Sequence, residues 1–214
     1  MISKLRNFTK PLANILATPF ILLRINPNIV STLGLVFALI GAYFVTQQAW
    51  IYALIFFILA PTMDFVDGAT ARALNKKSNW GNYFETMIDK FVDFAMIGSF
   101  VFIPTLAIPA MLALGFSMIS SYAKPRVALI VITDNRDWPA IGEHADKLLV
   151  LLLGLTLAAL GLNYLEYFLY FIALISAIGT VQRMLYARGL IKESEKKGTL
   201  LPYLKEKKEK AKRK

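Results

Sequence analysis

The sequence predicts an all-α polytopic membrane protein, with an interfacial amphipathic helix at the N-terminus followed by six transmembrane helices. Of its 214 residues, 57% are hydrophobic, and the mean hydropathy of +0.54 is too high for a soluble domain of this size. The apolar residues fall in runs of about 20, the length that crosses a bilayer. The formal charge of +10 lies mainly outside those runs. We therefore expect membrane lipids around the chain, no nucleic-acid partner and no large extramembrane domain.

Residues 1–25 are predicted to form the interfacial helix. Apolar residues recur at helical spacing, and basic residues lie between them, which is typical of a helix on a membrane surface. Pro11 and Pro19 are expected to interrupt it. A simple basic leader before the first span remains the alternative. The apolar positions are Ile2, Leu5, Phe8, Leu12 and Ile15, and the basic ones are Lys4, Arg6 and Lys10.

Residues 26–190 are predicted to hold the six spans of a catalytic domain. Asn26 is a plausible N-cap and Pro27 suits the first helical position of span one. Small residues every four positions in that span favour close helix packing. These are Gly34, Ala38 and Ala42. The other spans are expected at Trp50 to about Leu74, Gly81 to about Phe102, about Ala110 to Ile132, about 144–162 and about 165–188.

The distribution of basic residues predicts the topology. Lys and Arg occur before span one, between spans two and three, between spans four and five, and after span six, but not in the other connections. The positive-inside rule then places both termini and both charged loops in the cytoplasm of a multi-pass protein of the cell membrane. Residues 191–214 would be a basic cytoplasmic tail, with ten Lys and Arg against four Glu. Such a tail could bind anionic headgroups or simply be solvated.

Five carboxylates on two consecutive spans are the strongest functional signal. Asp64 and Asp67 are three residues apart, and Glu85, Asp89 and Asp93 follow one another at intervals of four. Each set therefore lies on one helical face, and an antiparallel hairpin would bring the two faces together. A charge at the bilayer centre costs at least about 2.5–3.5 kcal/mol, so these groups need a partner or a wet cavity.

A divalent cation between these carboxylates would relieve their mutual repulsion. The chain has no cysteine and a single histidine, His144, which excludes thiolate and multi-histidine metal sites. Oxygen ligands favour Mg²⁺ or Mn²⁺, and five carboxylates could hold two ions. Small residues and cations just after Asp67 suit a phosphate ligand. They are Gly68, Ala69 and Ala71, and Arg72, Lys76 and Lys77.

These residues also carry a family resemblance. The pattern Asp64-x2-Asp67-Gly68-x2-Ala71-Arg72-x8-Gly81-x3-Glu85-x3-Asp89 resembles the signature of the CDP-alcohol phosphatidyltransferases. The family has Asp where this chain has Glu85. The resemblance implies that Asp64, Asp67 and Glu85 hold two metal ions, that Asp89 contributes to the metal site, and that Asp89 is the general base.

The resemblance further implies the substrates. A CDP-linked lipid would be bound by six residues, and an alcohol would attack the phosphate next to the lipid, releasing CMP. The tails could be diacyl or dialkyl glycerol. The family also implies a homodimer. The residues implied to contact the CDP portion are Pro27, Asn28, Ser31, Gly68, Arg72 and Ser78.

Three later segments indicate the acceptor. Ser121–Arg126, Gly142–Lys147 and Val181–Arg183 with Arg188 resemble segments of the members that use inositol phosphate. Four cations in these segments suit a phosphate on the acceptor. We therefore expect inositol phosphate, with glycerol phosphate or another small alcohol as the alternative, and ordinary positive-inside flanking as the competing explanation. The four cations are Lys124, Arg126, Lys147 and Arg183.

Other assignments remain open from sequence. Asp93 could belong to the site or be a charge partner of Lys90 or Arg126, and His144 could serve as a cap, contact a headgroup or take part in catalysis. A catalytically impaired member that binds the nucleotide lipid is favoured only by Glu85. A cation channel or transporter would also use intramembrane carboxylates, but here they cluster at one side of the membrane.

Overall fold

The structure, a computed structural model, describes residues 6–133 and 138–202, with side chains from residue 11 onward. Within these ranges the fold is all-helical and contains seven α-helices and one short 3-10 helix, Ser99–Phe102, after α4. The α-helices are α1 Arg6–Leu22, α2 Pro27–Thr46, α3 Trp50–Ala73, α4 Asn79–Gly98, α5 Ala107–Ala128, α6 His144–Ala159 and α7 Leu165–Lys197.

Helix α2 begins where the sequence predicts. The Asn26 side chain caps it by accepting a hydrogen bond from the backbone N–H of Asn28 at 3.1 Å, and Pro27 is its first residue. Its buried stripe includes the expected Gly34 and Ala38 but continues with Gly41 instead of Ala42. The reason is that 3.6 residues make one turn, so alternating steps of four and three keep one face.

Close packing of α2 on α3 depends on these glycines. A Cβ built at Gly41 would lie 2.4 Å from the Phe57 ring, and one at Gly34 would lie 3.0 Å from the Ala60 carbonyl oxygen. Larger side chains would force the helices apart, because the neighbouring atoms have no room to yield. The close approach brings the start of α2 against the end of α3, where the first two carboxylates lie.

Helix α1 runs without a break through Pro11 and Pro19, so the expected interruption is wrong. Each proline removes only one backbone donor, and tertiary packing holds the helix. Ala13 and Ala17 are buried in a cluster with Val30, Val66 and Ala69, which belong to α2 and α3. The opposite side exposes Leu12 and Ile15. Lys4 lies outside the described residues, as do the side chains of Arg6 and Lys10, so the amphipathic character stays a prediction.

Three helices, α2, α3 and α7, are long and apolar enough to cross a membrane. Helix α4 carries four charged residues, and α6 is short, with 16 residues. The predicted total of six membrane spans therefore remains a prediction. The interior is mainly apolar, and the outer faces also carry large apolar side chains, which the surface of a soluble protein rarely does. Fully buried residues include Phe57, Phe100, Leu155, Leu169 and Ile172, and exposed ones include Leu39, Ile51, Phe94, Phe102 and Leu153.

Helix α7 extends beyond the predicted end of span six and ends at Lys197, where Gly198 adopts the left-handed conformation with φ +65°. The chain then turns back onto the end of α5. The Leu201 N–H donates to the Ile130 carbonyl oxygen at 3.1 Å, and Leu200 is buried in a cluster with Val127, Val131, Trp138 and Ala187. The first part of the predicted tail is therefore packed. Residues 203–214 lie outside the described ranges.

Candidate active site

The end of α3 and the first half of α4 bring three carboxylates together. One oxygen from each of Asp64, Asp67 and Glu85 lies within 4.8 Å of the others. The first two belong to α3 and the third to α4, so the hairpin predicted from sequence does join the two acidic faces. A single divalent ion bound between them could contact all three.

Asp67 is the most constrained of these groups, with 2% of its surface exposed. The Ser31 hydroxyl donates a hydrogen bond to its Oδ2. Its Oδ1 is buried and accepts no hydrogen bond within the described ranges. A buried carboxylate oxygen without a donor is destabilising, and a cation would satisfy it. The three-oxygen donor set fits Mg²⁺ or Mn²⁺.

Asp89 lies on the same cavity as Asp64 and Asp67. The other polar groups on this cavity are Ser31 and His144, so α2, α3, α4 and α6 all contribute to it. The remaining wall is mainly apolar and limits access of water to the carboxylates. It includes Gly34, Ala60, Pro61, Ile88, Val92, Met96 and Leu148.

Asp93 joins three helices at the edge of this cavity. It is buried, with 7% exposed, and its Oδ2 accepts a hydrogen bond from Lys90 Nζ at 3.0 Å. Its Oδ1 lies 2.9 Å from Nδ1 of His144 on α6, and Lys90 also donates to the Ser121 hydroxyl on α5 at 3.3 Å. The predicted pairing with Lys90 is therefore present. Arg126 is exposed and forms no ion pair with Asp93.

The helix cap at α6 is not His144. Glu143 is the N-cap residue, and its backbone N–H donates to Oδ2 of Asp146 at 3.2 Å in a capping box. His144 instead faces Asp93 and the carboxylate cavity. The sequence left a catalytic role for His144 open but could not predict its partner Asp93, because a lone histidine at a helix start indicates none. The register was the available signal, since His144 and Lys147 are three apart and share a face.

Two of the four predicted acceptor cations come together. Lys147 is buried, with 5% exposed, and is influenced electrostatically by Asp93, Lys90 and Arg183. No hydrogen bond or ion pair within 4.0 Å binds its ammonium group in the part of the chain that the structure describes. Arg183 donates to the Ser120 carbonyl oxygen at 3.0 Å and to the Ser120 hydroxyl.

The other two predicted cations lie near the end of α5. Lys124 is partly exposed, and Arg126 is exposed in the last turn. No described contact places either of them against Lys147. The positive charge of Lys90 lies close enough to repel that of Lys147, although the sequence indicated Lys90 only as a partner of Asp93. This proximity follows from the contact between side chains of α4 and α6 at Asp93 and His144.

The residues predicted to contact CDP lie at helix ends close to the carboxylates. The Ser78 hydroxyl caps α4 by accepting from the Gly81 N–H at 2.9 Å. A Cβ built at Gly81 would lie 3.1 Å from that hydroxyl and 3.7 Å from Oδ1 of Asn28. The start of α2 therefore meets the start of α4. Pro27 is buried beside them.

Gly68 and Arg72 occupy one face of α3. A Cβ built at Gly68 would lie 3.3 Å from a guanidinium nitrogen of Arg72, so the backbone there is uncovered except for this side chain. Lys76, a predicted phosphate ligand, donates to the Arg24 carbonyl oxygen at 3.3 Å. This contact ties the connection before α2 to the connection after α3.

Comparison with known proteins identifies the family. The sequence model described as CDP-alcohol phosphatidyltransferase matches residues 24–178, which include all the carboxylates above. The chain belongs to the CDP-alcohol phosphatidyltransferase family. Its predicted family, and with it the predicted transferase class, is thereby confirmed.

Three relatives are similar to this chain in sequence. The phosphatidylinositol phosphate synthase of Cutibacterium acnes is 26% identical over 198 residues, covering 82% of this chain and 91% of that protein. The archaetidylinositol phosphate synthase of Pyrococcus horikoshii is 30% identical over 97 residues, covering 45% and 52%. An uncharacterized protein of Aquifex aeolicus is 32% identical, but the alignment spans 32% of this chain and only 35% of that protein.

Solved structures share the fold. The phosphatidylinositol phosphate synthase of Mycobacterium tuberculosis with CDP-DAG bound has a TM-score of 0.71 and 19% identity, covering 83% of this chain and 94% of that one. The same enzyme in complex with manganese and citrate has a TM-score of 0.70, also with 19% identity, covering 82% and 88%. The all-helical arrangement described above is thus the fold of these solved structures.

Proposed function

We propose that this protein transfers a phosphatidyl-type group from a CDP-linked lipid to inositol phosphate, with release of CMP. The observation that carries the proposal combines one unsatisfied carboxylate oxygen with a buried lysine whose charged neighbours include Asp93. Within the described residues, the buried Oδ1 of Asp67 accepts no hydrogen bond, and the side chain of Lys147, which is 5% exposed, forms no ion pair within 4.0 Å. The first suits a divalent cation and the second suits a phosphate.

The metal site would consist of Asp64, Asp67 and Glu85, with Asp89 as a further ligand. We propose two ions, Mg²⁺ or Mn²⁺, because four carboxylates exceed the charge that one divalent ion neutralises. When bound, the ions neutralise charge on the phosphates. The relative solved in complex with manganese supports a divalent cation as the cofactor.

The chain's own groups would then perform the transfer. Asp89 takes the proton from the acceptor hydroxyl, and that oxygen forms a bond to the phosphorus next to the lipid. The bond from this phosphorus to the bridging oxygen breaks, and CMP leaves with the electron pair. Six residues at the starts of α2 and α4 and the end of α3 would orient the CDP portion. They are Pro27, Asn28, Ser31, Gly68, Arg72 and Ser78.

The acceptor phosphate would bind Lys147 and Arg183, with Lys124 and Arg126 at the outer end. The names of the relatives from C. acnes and P. horikoshii support inositol phosphate. Glycerol phosphate is the second candidate, since it presents the same phosphate group. Lipid tails, ester or ether linked, would lie outside the cavity against the exposed apolar helix faces.

For the membrane arrangement we propose six spans, α2 to α7, with α1 at the interface. Both termini, the charged connections and the active site would face the cytoplasm of the cell membrane, as the positive-inside rule indicates. The domain bounds would be 1–25, 26–190 and 191–214, with the start of the last segment still helical. A homodimer is proposed from the family resemblance.

The test is CMP release from a CDP-linked lipid by the purified full chain with Mg²⁺ or Mn²⁺. Inositol phosphate, glycerol phosphate, inositol, serine and ethanolamine would be compared as acceptors. Asp67→Ala and Asp89→Asn should each abolish turnover, whereas Glu193→Gln, which breaks an exposed ion pair with Lys197, should not. Preference for an unphosphorylated alcohol, or full activity of both site variants, would overturn the proposal. Nucleotide binding without CMP release would indicate an impaired member.

A further inference from the structure

Helix α7 is longer than a membrane span, so its last turns project beyond the bilayer. Its 33 residues extend for about 50 Å, whereas the hydrocarbon core is about 30 Å thick, so about 20 residues from Leu165 reach the far boundary. Aromatic side chains, which are enriched at membrane interfaces, lie at the same level. Trp138 and Tyr186 pack edge to face with their ring centroids 5.2 Å apart, and Leu185 is exposed. The membrane boundary therefore lies near Ala187.

The chain turns back toward this boundary after α7 ends. The helix continues for ten residues after Ala187, which carries the chain about 15 Å outward. The returning segment, residues 198–202, then folds back. Leu200 is 8% exposed and lies in the same apolar cluster as Ala187, and the Leu201 N–H donates to the Ile130 carbonyl oxygen at 3.1 Å. The chain therefore leaves the described fold at the level of Ala187.

This return decides how close the next basic residues begin to the membrane. Residues 203–214 contain seven Lys and Arg and two Glu. At physiological ionic strength the Debye length is about 8 Å, so a basic segment that began at the outer end of α7, about 15 Å away, would be largely screened from the headgroups. Beginning beside Ala187, it is not. Clusters of about four to eight basic residues next to a span bind anionic lipid headgroups, with about a fivefold gain for each Lys or Arg near the surface.

Resting on the membrane arrangement proposed above, we infer that residues 203–214 bind anionic lipid headgroups and that the returning segment is the anchor that holds them at the bilayer. The partner is the lipid surface because the anchor fixes the start of the basic residues at the membrane boundary, whereas an acidic protein or a nucleic acid would be met further out in the solvent. The leaflet is the one on the side of the active site, since Arg183, one turn before Ala187, lies near Lys147.

The experiment measures how close the basic residues lie to the headgroups. The chain has no cysteine, so Ala211→Cys provides a single site for a fluorescent label. The labelled full chain is placed in nanodiscs that contain a lipid with a nitroxide quencher on its headgroup, made with phosphatidylcholine alone or mixed with phosphatidylglycerol. Quenching should be at least about twofold stronger in the anionic nanodiscs at about 0.1 M salt, and the difference should disappear at about 1 M salt, where the Debye length is about 3 Å. Equal quenching in the two bilayers at low salt would overturn the inference.

A variant of the labelled chain tests the anchor separately from the charge. Leu200→Asn places an uncharged polar group in the apolar cluster, which is unfavourable, and should release the returning segment without changing the net charge. The difference in quenching between the two bilayers should then fall by about half or more, because a longer tether lowers the effective concentration of the basic residues at the surface. The matched control is Thr199→Asn at the neighbouring exposed position, which should behave as the parent chain. Full quenching in Leu200→Asn would refute the role of the anchor.

A second variant tests the charge without touching the fold. Replacing four lysines beyond the anchor by Gln should abolish the difference between the bilayers, and its persistence would refute electrostatic binding. If Leu200→Asn does not fold, this variant decides. The readout does not depend on catalysis, so a chain that responds to anionic lipid but releases no CMP would reject the proposed function and leave this inference standing. The replaced residues are Lys207, Lys208, Lys210 and Lys212.

Discussion

Gly179 on α7 offers a sharp test of how the site is positioned. A Cβ built at this residue would lie 2.2 Å from the Ile141 carbonyl oxygen, whereas real Cβ contacts are essentially never below 3.0 Å. In Gly179→Ala, Ile141 must therefore move by about 0.8 Å, the difference between those two distances. Ile141 also donates its N–H to the Gln182 side chain at 2.8 Å, and this contact would weaken or break.

The stability cost follows from these contacts. Overpacking of this kind costs about 1–3 kcal/mol, and the lost hydrogen bond adds about 0.5–1.5 kcal/mol. Replacing a helical glycine by alanine returns about 1 kcal/mol. We expect a net loss of about 1–3 kcal/mol. Because residues 141–143 lead directly into α6, His144 and Lys147 would shift as well. A displacement near 1 Å can reduce catalysis by about 100-fold, so kcat/KM for the acceptor should fall about 10- to 100-fold.

The assay compares Gly179→Ala with Gly189→Ala on the same helix. A Cβ at Gly189 meets nothing within 4 Å, so that variant should be as stable as the parent chain or slightly more stable. Thermal unfolding in detergent, followed by tryptophan fluorescence, gives the stability, and CMP release gives the acceptor kinetics. Equal Tm values and equal acceptor kinetics for the two variants would refute the reasoning from close packing.

Three further results are expected. Ser31→Ala removes the donor to Asp67 and should weaken Mn²⁺ binding about 10- to 100-fold, as measured by electron paramagnetic resonance; unchanged affinity would contradict the role of this hydroxyl. Glu85→Asp restores the residue typical of the family and should retain turnover within about tenfold while changing the ratio of Mg²⁺ to Mn²⁺ activity. If the parent chain has no turnover and Glu85→Asp becomes active, the parent chain is a catalytically impaired member of the family. Leu200→Ala should cost about 2–5 kcal/mol in unfolding, measured as Tm against Thr199→Ala, which changes an exposed residue; equal Tm values would exclude packing of the returning segment.

The helices show which sequence signals were sufficient. The start of α2 at Asn26 and Pro27 follows from local capping chemistry, and the structure has it there. The interruption predicted from the prolines of α1 was wrong. A proline removes one local hydrogen bond, but the packing of Ala13 and Ala17 against α3 stabilises the helix. Helix α7 continues to Lys197, past the predicted end of span six, because helix formation does not require apolar residues there.

The candidate site divides in the same way. The proximity of Asp64, Asp67 and Glu85 was predictable. A spacing of three places the two aspartates on one helical face, and the short connection before Glu85 folds the next helix back as a hairpin. The contact from His144 to Asp93 was not. It depends on how α6 packs against α3 and α7, and no local pattern encodes that placement.

The sequence by itself determined the class of protein, the family and the acidic residues that would hold a metal. These depend on composition, on helical periodicity and on one ordered motif, all of which are local properties. Only the tertiary structure showed which cations lie near Asp93, namely Lys90 and Lys147, whereas Arg126 is exposed. The physical reason is that a buried charge is stabilised or left unpaired by groups far away in the chain. The position of these distant groups depends on close packing at small residues such as Gly179 and Gly41, where an added Cβ would prevent two segments from approaching each other.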